Sequence, residues 1–264
     1  MVWHSWENAE IYDRFVREHR IYRSLNQRIV ELARPIGARM VLDLACGSGA
    51  TTLAFLRVLD LDSEIVGVDA SEEMIGVAQA NVLDSRARFV RGTAASVDRI
   101  LDETFDRVVC NAAFWQFPDP GPVFAAVARR SAPGARFVVN VPAERVKGER
   151  TPIHPFQVAL ARSIERKTGR PFPETATGVE VESLESVARA YRWTLDHTSR
   201  FLYEGSQGEL AELMSIPAMI GPLTEGMTEE GRGQVLLEAR ERTDPTAIVH
   251  VPWVYLVFKK DPAD

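Results

Sequence analysis

Cysteine is scarce in this chain of 264 residues: only Cys46 and Cys110 occur, and no histidine or second thiol pair stands at metal-ligand spacing from them. They read as two small buried residues of a protein kept in a reducing cytoplasm. No run of about 18 apolar residues is present, which excludes a membrane-spanning helix. Residues 1–10 hold two tryptophans, a histidine and two acids where a secretory leader would be apolar. Lysine and arginine form no block and the net charge is -6, a poor match to a nucleic-acid backbone. There is no internal repeat and no low-complexity tract. What remains is an ordinary globular composition, 45% hydrophobic and 26% charged, at a length suited to one large domain.

Residues 7–34 read as helical, with Ile11, Phe15, Tyr22, Leu25, Ile29 and Leu32 at mixed steps of three and four, stopped by Pro35 and Gly37. A strand (39–44) and a helix (50–59) follow. Next come a strand (64–68), a helix (72–81) capped by Ser71, and two strands (88–91 and 105–110). A helix (120–131) and a fifth strand (136–141) complete the series. Such alternation predicts a parallel sheet with helices on both faces. After Pro142 the rhythm breaks. An amphipathic helix carries Phe156, Leu160 and Ile164. A helix (183–191), an extended stretch (194–203), two helical stretches within 206–242 and a strong strand (248–259) complete the chain. The last two strands are expected as an antiparallel pair at a sheet edge.

The turn Asp43-Leu44-Ala45-Cys46-Gly47-Ser48-Gly49 places four small residues between a strand and a helix, where backbone N–H groups can approach a ligand. Asp43 puts a carboxylate at the strand end. Asp69 ends the next strand 20 residues beyond Gly49, the separation at which an acid meets a ribose diol in a βαβ unit. A nicotinamide-type Rossmann turn fits less well, since its third glycine would fall at Thr52.

Read together, Asp43 to Gly49 and Gly67-Val68-Asp69-Ala70-Ser71-Glu72-Glu73-Met74 resemble the class I S-adenosylmethionine (SAM) dependent methyltransferases. Phe105 to Asn111 is similar to that family's fourth strand, and Pro133 to Phe137 to its turn into the fifth. The resemblance implies a Rossmann-like α/β fold: a mostly parallel seven-stranded sheet with an antiparallel last strand and a helical lid. It implies one methyltransferase domain over 1–264, made of an N-terminal helical arm (1–38) and a cofactor core (39–142). Lid insertions (143–182 and 206–245) and closing strands (193–204 and 248–260) make up the rest.

The cofactor implied is SAM, with S-adenosylhomocysteine as product. Asp43 would lie by the methionine amino group, with Ala45, Gly47 and Gly49 as the floor and Tyr12 against the methionine end. Asp69 would take the ribose hydroxyls, Ala70 and Met74 would flank the adenine, and Thr93 and Ala94 would meet its edge. Asn111 and Ala112 would stand beside the sulfonium. The chain departs from the family at Ala45, usually glycine, and at Thr93, often an acid.

Methyl transfer from a sulfonium is an in-line displacement, so alignment and exclusion of water are the main tasks. A base is needed only for a nucleophile that is protonated at working pH. His154, between Pro152 and Pro155 in the first lid insertion, is the candidate. Phe114 and Trp115 read either as an apolar substrate wall or as local packing, and Met214 and Met219 either as a lid surface for an apolar substrate or as core. Arg145, Lys147 and Arg150 read as a solvated face or as a site for an anionic substrate. The expected acceptor is a small, apolar or aromatic metabolite methylated at oxygen, nitrogen or carbon. A non-methylating cyclase or SAM-binding protein is the alternative, and methylation of a carboxylate, or of RNA or protein, ranks below it. No metal, nucleic acid or membrane is expected as a partner, and a homodimer is left open.

Overall fold

The computed structural model describes residues 3–172 and 178–262. It begins with helices α1 (Trp6–Glu18) and α2 (Arg20–Ala33). The alternating stretch follows as β1 (Met40–Leu44), α3 (Ala50–Leu56), β2 (Glu64–Asp69), α4 (Glu72–Asn81), β3 (Ala87–Arg91), α5 (Val97–Ile100), β4 (Phe105–Cys110), α6 (Gly121–Arg129) and β5 (Ser131–Pro142). Then come α7 (Pro155–Thr168), α8 (Val181–Arg189), β6 (Trp193–Ser206), α9 (Gln207–Leu213), α10 (Pro217–Ile220), α11 (Glu229–Glu241) and β7 (Ile248–Lys260).

These strands form one seven-stranded sheet in the order β3-β2-β1-β4-β5-β7-β6. The first five pair in parallel, and β7 runs antiparallel between β5 and β6. The winding direction switches between β1 and β4, which opens a crevice at the carboxyl ends of those strands. Side chains alternate across the sheet. Trp253, Tyr255 and Val257 of β7 pack on the face that carries Leu25 and Ile29 of α2 and Phe55 of α3. Val254, Leu256 and Phe258 pack on the other face, with Val97, Phe124 and Leu184 of α5, α6 and α8. Covering both faces is what requires the near-continuous apolar runs of β1 and β4. Both cysteines are buried free thiols.

A third, smaller core is built apart from the sheet. Phe156, Leu160 and Ile164 of α7 meet Ala211 of α9, Ile220 of α10, and Val235 and Ala239 of α11. The helices of the two stretches expected as lid insertions therefore fold into one cluster; residues 173–177 of the first stretch lie outside the described residues.

Several expectations change. The helical stretch over 7–34 is divided into two helices, because His19 is extended (φ -104, ψ 152) and closes α1 while it opens α2. Its ring is held by Glu212 at 2.7 Å and lies 3.8 Å from Glu209, both on α9 (a contact across some 190 residues that local periodicity does not register). The helix over 50–59 ends at Leu56, and the two helices within 206–242 are three, broken at Pro217 and beyond Ile220. Among the described residues no helix is long and apolar enough to cross a membrane.

Candidate functional site

Between β1 and α3 the chain turns through three left-handed residues, Ala45 (φ 52), Gly47 (φ 52) and Gly49 (φ 83). A side chain at Gly49 would stand 2.9 Å from Val82 on top of the unfavourable φ, so only glycine fits. At Gly47 the Cβ position is 3.5 Å from the Tyr12 ring, which lies against the turn. Ala45 takes the left-handed conformation without being glycine, at a cost of about 1–2 kcal/mol.

Asp69 fastens this turn to β2. Its two carboxylate oxygens accept from the Gly47 and Ser71 backbone N–H groups, each at 2.9 Å. Burial raises its pKa, and those two bonds pull it back down. Asp43 lies beneath the turn, 1% exposed, accepting from the Thr52 hydroxyl at 2.7 Å. Burial pushes its carboxyl up to about 7, with the Thr52 bond opposing. The Tyr12 hydroxyl is raised first by burial, then by Tyr22, Asp69 and Asp43, so this ring sits in the field of both acids. Trp3, Tyr12 and Tyr22 stack edge to face with 5.4 Å between successive centroids. The Trp3 carbonyl accepts from Ser71 Oγ at 3.2 Å, while its indole N–H donates to Gln116 at 3.0 Å. The N-terminal segment thus straddles the crevice from the end of β2 to the turn after β4.

Beside Asp69 a cavity of about 550 Å³ is lined by His4, Ala70, Glu72, Glu73, Arg91, Gly92 and Thr93. Ala70 and Thr93 therefore share one concave surface. The Thr93 hydroxyl donates to Ser96 Oγ at 3.0 Å. Ala94 and Met74 are buried (7% and 3% exposed), so Ala94 can offer a ligand its backbone but hardly its side chain.

Asn111 does not face open space. It joins a buried polar chain whose members come from α2, α3, β5 and the end of β4. Its Nδ2 donates to Asn26 Oδ1 at 2.5 Å, and its Oδ1 accepts from Asn140 Nδ2 at 2.7 Å. Thr51 Oγ1 donates to Asn26 Oδ1 at 2.8 Å. Asn140 Oδ1 accepts the Ala112 N–H at 2.6 Å and so fixes that residue's left-handed backbone, φ 54. Sequence reading missed Asn26, Thr51 and Asn140. The signal was there in Val138-Val139-Asn140-Val141, an amide interrupting an apolar strand.

Of the two readings of Phe114, substrate wall or packing, its surroundings fit packing. It is 3% exposed, with Phe117, Phe124 and Phe137 edge-on around it at 5.6–6.3 Å, since the face that β4 presents to α6 continues into this turn. Trp115 is half-buried, 5.8 Å from Trp253, and Arg145 lies over its ring at 5.9 Å. Met219 borders the same cluster as Tyr12, Ala112 and Trp115, whereas Met214 packs into the helical cluster of the lid. His154 is the N-cap residue of α7. Burial lowers its pKa, Glu144 opposes this, and His250 adds to it. These neighbours place it at the end of β5 and the start of β7, apart from Asp43 and Asp69. Among the described residues no group of three His, Cys, Asp or Glu side chains could hold a metal ion.

A left-handed small-residue turn at the switch point of a 3-2-1-4-5-7-6 sheet, tied to an acid at the end of β2, defines the class I methyltransferase architecture. Residues 41–134 match the family model described as a methyltransferase domain. A demethylmenaquinone methyltransferase of Lactiplantibacillus plantarum is 32% identical over 124 residues, 46% of this chain and 51% of that protein. The chain spans about half the length of the curated relatives it matches. Among solved structures, a SAM-dependent methyltransferase from Geobacter sulfurreducens in complex with S-adenosylhomocysteine aligns with TM-score 0.57 at 16% identity, covering 95% of this chain and 98% of that one. The cyclase SpnF aligns with TM-score 0.58 at 16% identity, covering 91% and 82%. At these identities the structural likeness is one of fold.

Proposed function

We propose that this chain is a SAM-dependent methyltransferase acting on a small, planar or apolar metabolite. The observation that carries the reading is the joint geometry of one turn: Gly47 and Ser71 hydrogen-bonded to Asp69, Asp43 buried below, and the Tyr12 ring above. The residues fit the group. A carboxylate has about four lone-pair sites, so Asp69 keeps acceptor capacity for a ribose diol after its two backbone bonds. Ala70, Gly92 and Thr93 border a cavity beside it for the adenine. Asp43, desolvated and half-protonated near neutrality, suits a cationic amino group, which would hold it ionised. The cofactor supplies an activated methyl group. The protein's own residues bind and orient. Asn140 fixes the Asn111–Ala112 backbone at the end of β4, and the α1–α2 arm and the helical lid exclude water.

The methyltransferase family match and the curated relative support methyl transfer over a non-methylating role. His154 enters this reading as the base for a protonated nucleophile: its lowered pKa keeps the imidazole neutral at pH 7, the form a base requires. His154→Gln is then expected to reduce turnover at least about 100-fold with cofactor affinity unchanged. Equal turnover would remove it from the chemistry.

Equilibrium titration of SAM tests the cofactor assignment. Asp69→Ala removes both the diol acceptor and the ties to the turn, and Asp69→Asn keeps one acceptor. Affinity is expected to fall at least about tenfold in both. Unchanged affinity in either variant would overturn the role given to Asp69.

A further inference from the structure

Trp253, on β7 opposite Pro142 of β5, is 6% exposed, and its indole Nε1 is fully buried without an acceptor among the described residues. An unmet buried donor is costly, and native proteins rarely leave one without reason. Its ring lies 5.8 Å from that of Trp115, on the turn that follows Asn111–Ala112. Arg145, three residues past the end of β5, places its guanidinium 5.9 Å from the Trp115 centroid. No carboxylate of the described residues pairs with it, although Lys147 nearby is paired with Glu180 at 2.9 Å and Arg200 with Glu149 at 2.6 Å. Two large rings, an unused N–H and an unpaired planar cation therefore lie together at the carboxyl ends of β4 and β5.

We infer that Trp115, Trp253 and Arg145 form the acceptor-recognition subsite and select a planar aromatic molecule that carries an oxyanion. The inference rests on the methyltransferase reading for its place in a reaction and on the three side chains alone for its chemistry. The half-buried Trp115 supplies stacking area, with Trp253 packed behind it. Arg145 supplies charge-assisted hydrogen bonds, its cost of burial beside Trp115 reduced by the cation–π contact. The Trp253 N–H accounts for a second ligand oxygen. Lys147, by contrast, is committed to Glu180 and takes no part.

Calorimetric titration of 4-hydroxybenzoate and its neutral counterpart 4-hydroxybenzamide tests this, with the protein both cofactor-free and saturated with S-adenosylhomocysteine. The carboxylate is expected to bind at least about tenfold more tightly than the amide. Arg145→Gln should erase that ratio, and Arg145→Lys should keep part of it. Trp253→Phe should weaken both ligands together. Trp193→Phe, which removes the other orphaned indole N–H at the far end of β6, should change neither. Melting temperature and S-adenosylhomocysteine affinity report whether each variant is folded. Absence of binding by either probe, equal binding of the two, or a ratio that survives Arg145→Gln would overturn the inference. Failure to bind S-adenosylhomocysteine would count against the methyltransferase reading alone, because the probe ratio is measured without it as well.

Discussion

Asp43 carries a pH dependence of opposite sign in two measurements. Its carboxyl, ordinarily at 3.8, is held at about 7 by burial. Between those values the folded protein keeps a proton that the unfolded chain has released. Its contribution to stability is therefore complete at low pH and is lost as pH rises through 7. A cationic ligand group beside it favours the ionised form instead. Below pH 7, SAM binding must then expel that proton, and affinity should rise by up to about tenfold per unit towards pH 7 before levelling. Calorimetry in two buffers of different ionisation enthalpy reads the released proton directly. Asp43→Asn should abolish the release and flatten both profiles. A wild-type affinity that is flat from pH 5 to 8 would remove Asp43 from the amino-group site.

At the level of elements, the chain of Asn26, Thr51, Asn111 and Asn140 joins α2, α3, β4 and β5 under the crevice. Asn140→Ala leaves the Ala112 N–H and the Asn111 side-chain Oδ1 without partners. The expected loss is about 2–4 kcal/mol, or roughly 4–7 °C in melting temperature for a chain of this size. Asn140→Asp restores the Ala112 contact and should recover part of it; an unchanged melting temperature in Asn140→Ala would deny the network this role. Such pairings mark the limit of what the sequence makes legible. The residues over 72–81 and 105–110 are helix and strand as their patterns predict, because Ser71 caps one and the apolar Phe105, Val108, Val109 and Cys110 carry the other. The cofactor turn is readable for the same reason, since small residues and two acids act locally. His19 breaks a helix through two glutamates on α9, Phe114 is core because α6 and β5 enclose it, and Arg145 meets Trp115 across a strand. Each of these depends on partners that only the folded chain supplies.

For the molecule as a whole, the arm bonds both to the helices of 206–242 and to the sheet's cofactor half, where Asn26 of α2 meets Thr51 and Asn111. Asn8 of α1 accepts from the Ala218 N–H of α10 at 3.0 Å, and Glu209 of α9 accepts from the Ile21 N–H at 3.3 Å and from the Tyr203 hydroxyl. His19 adds its bond to Glu212. Towards the crevice the arm is held by the two Trp3 bonds and by Asp13, which accepts from Asn81 at 2.7 Å. The lid's own core, centred on Phe156 and Leu160, is separate from the sheet's. Opening of the crevice should therefore carry α1, α9 and α10 together as one unit of lower stability than β1, β4 and β5. Hydrogen exchange measures this. Backbone amides of these helices should exchange faster than those of the central strands and gain protection in step when S-adenosylhomocysteine is added. Trp3→Ala removes the indole bond to Gln116 and should speed their exchange while leaving the central strands unchanged. Protection gained in α1 without α9 and α10 would show that the arm closes alone, and the lid would then have to respond to the acceptor.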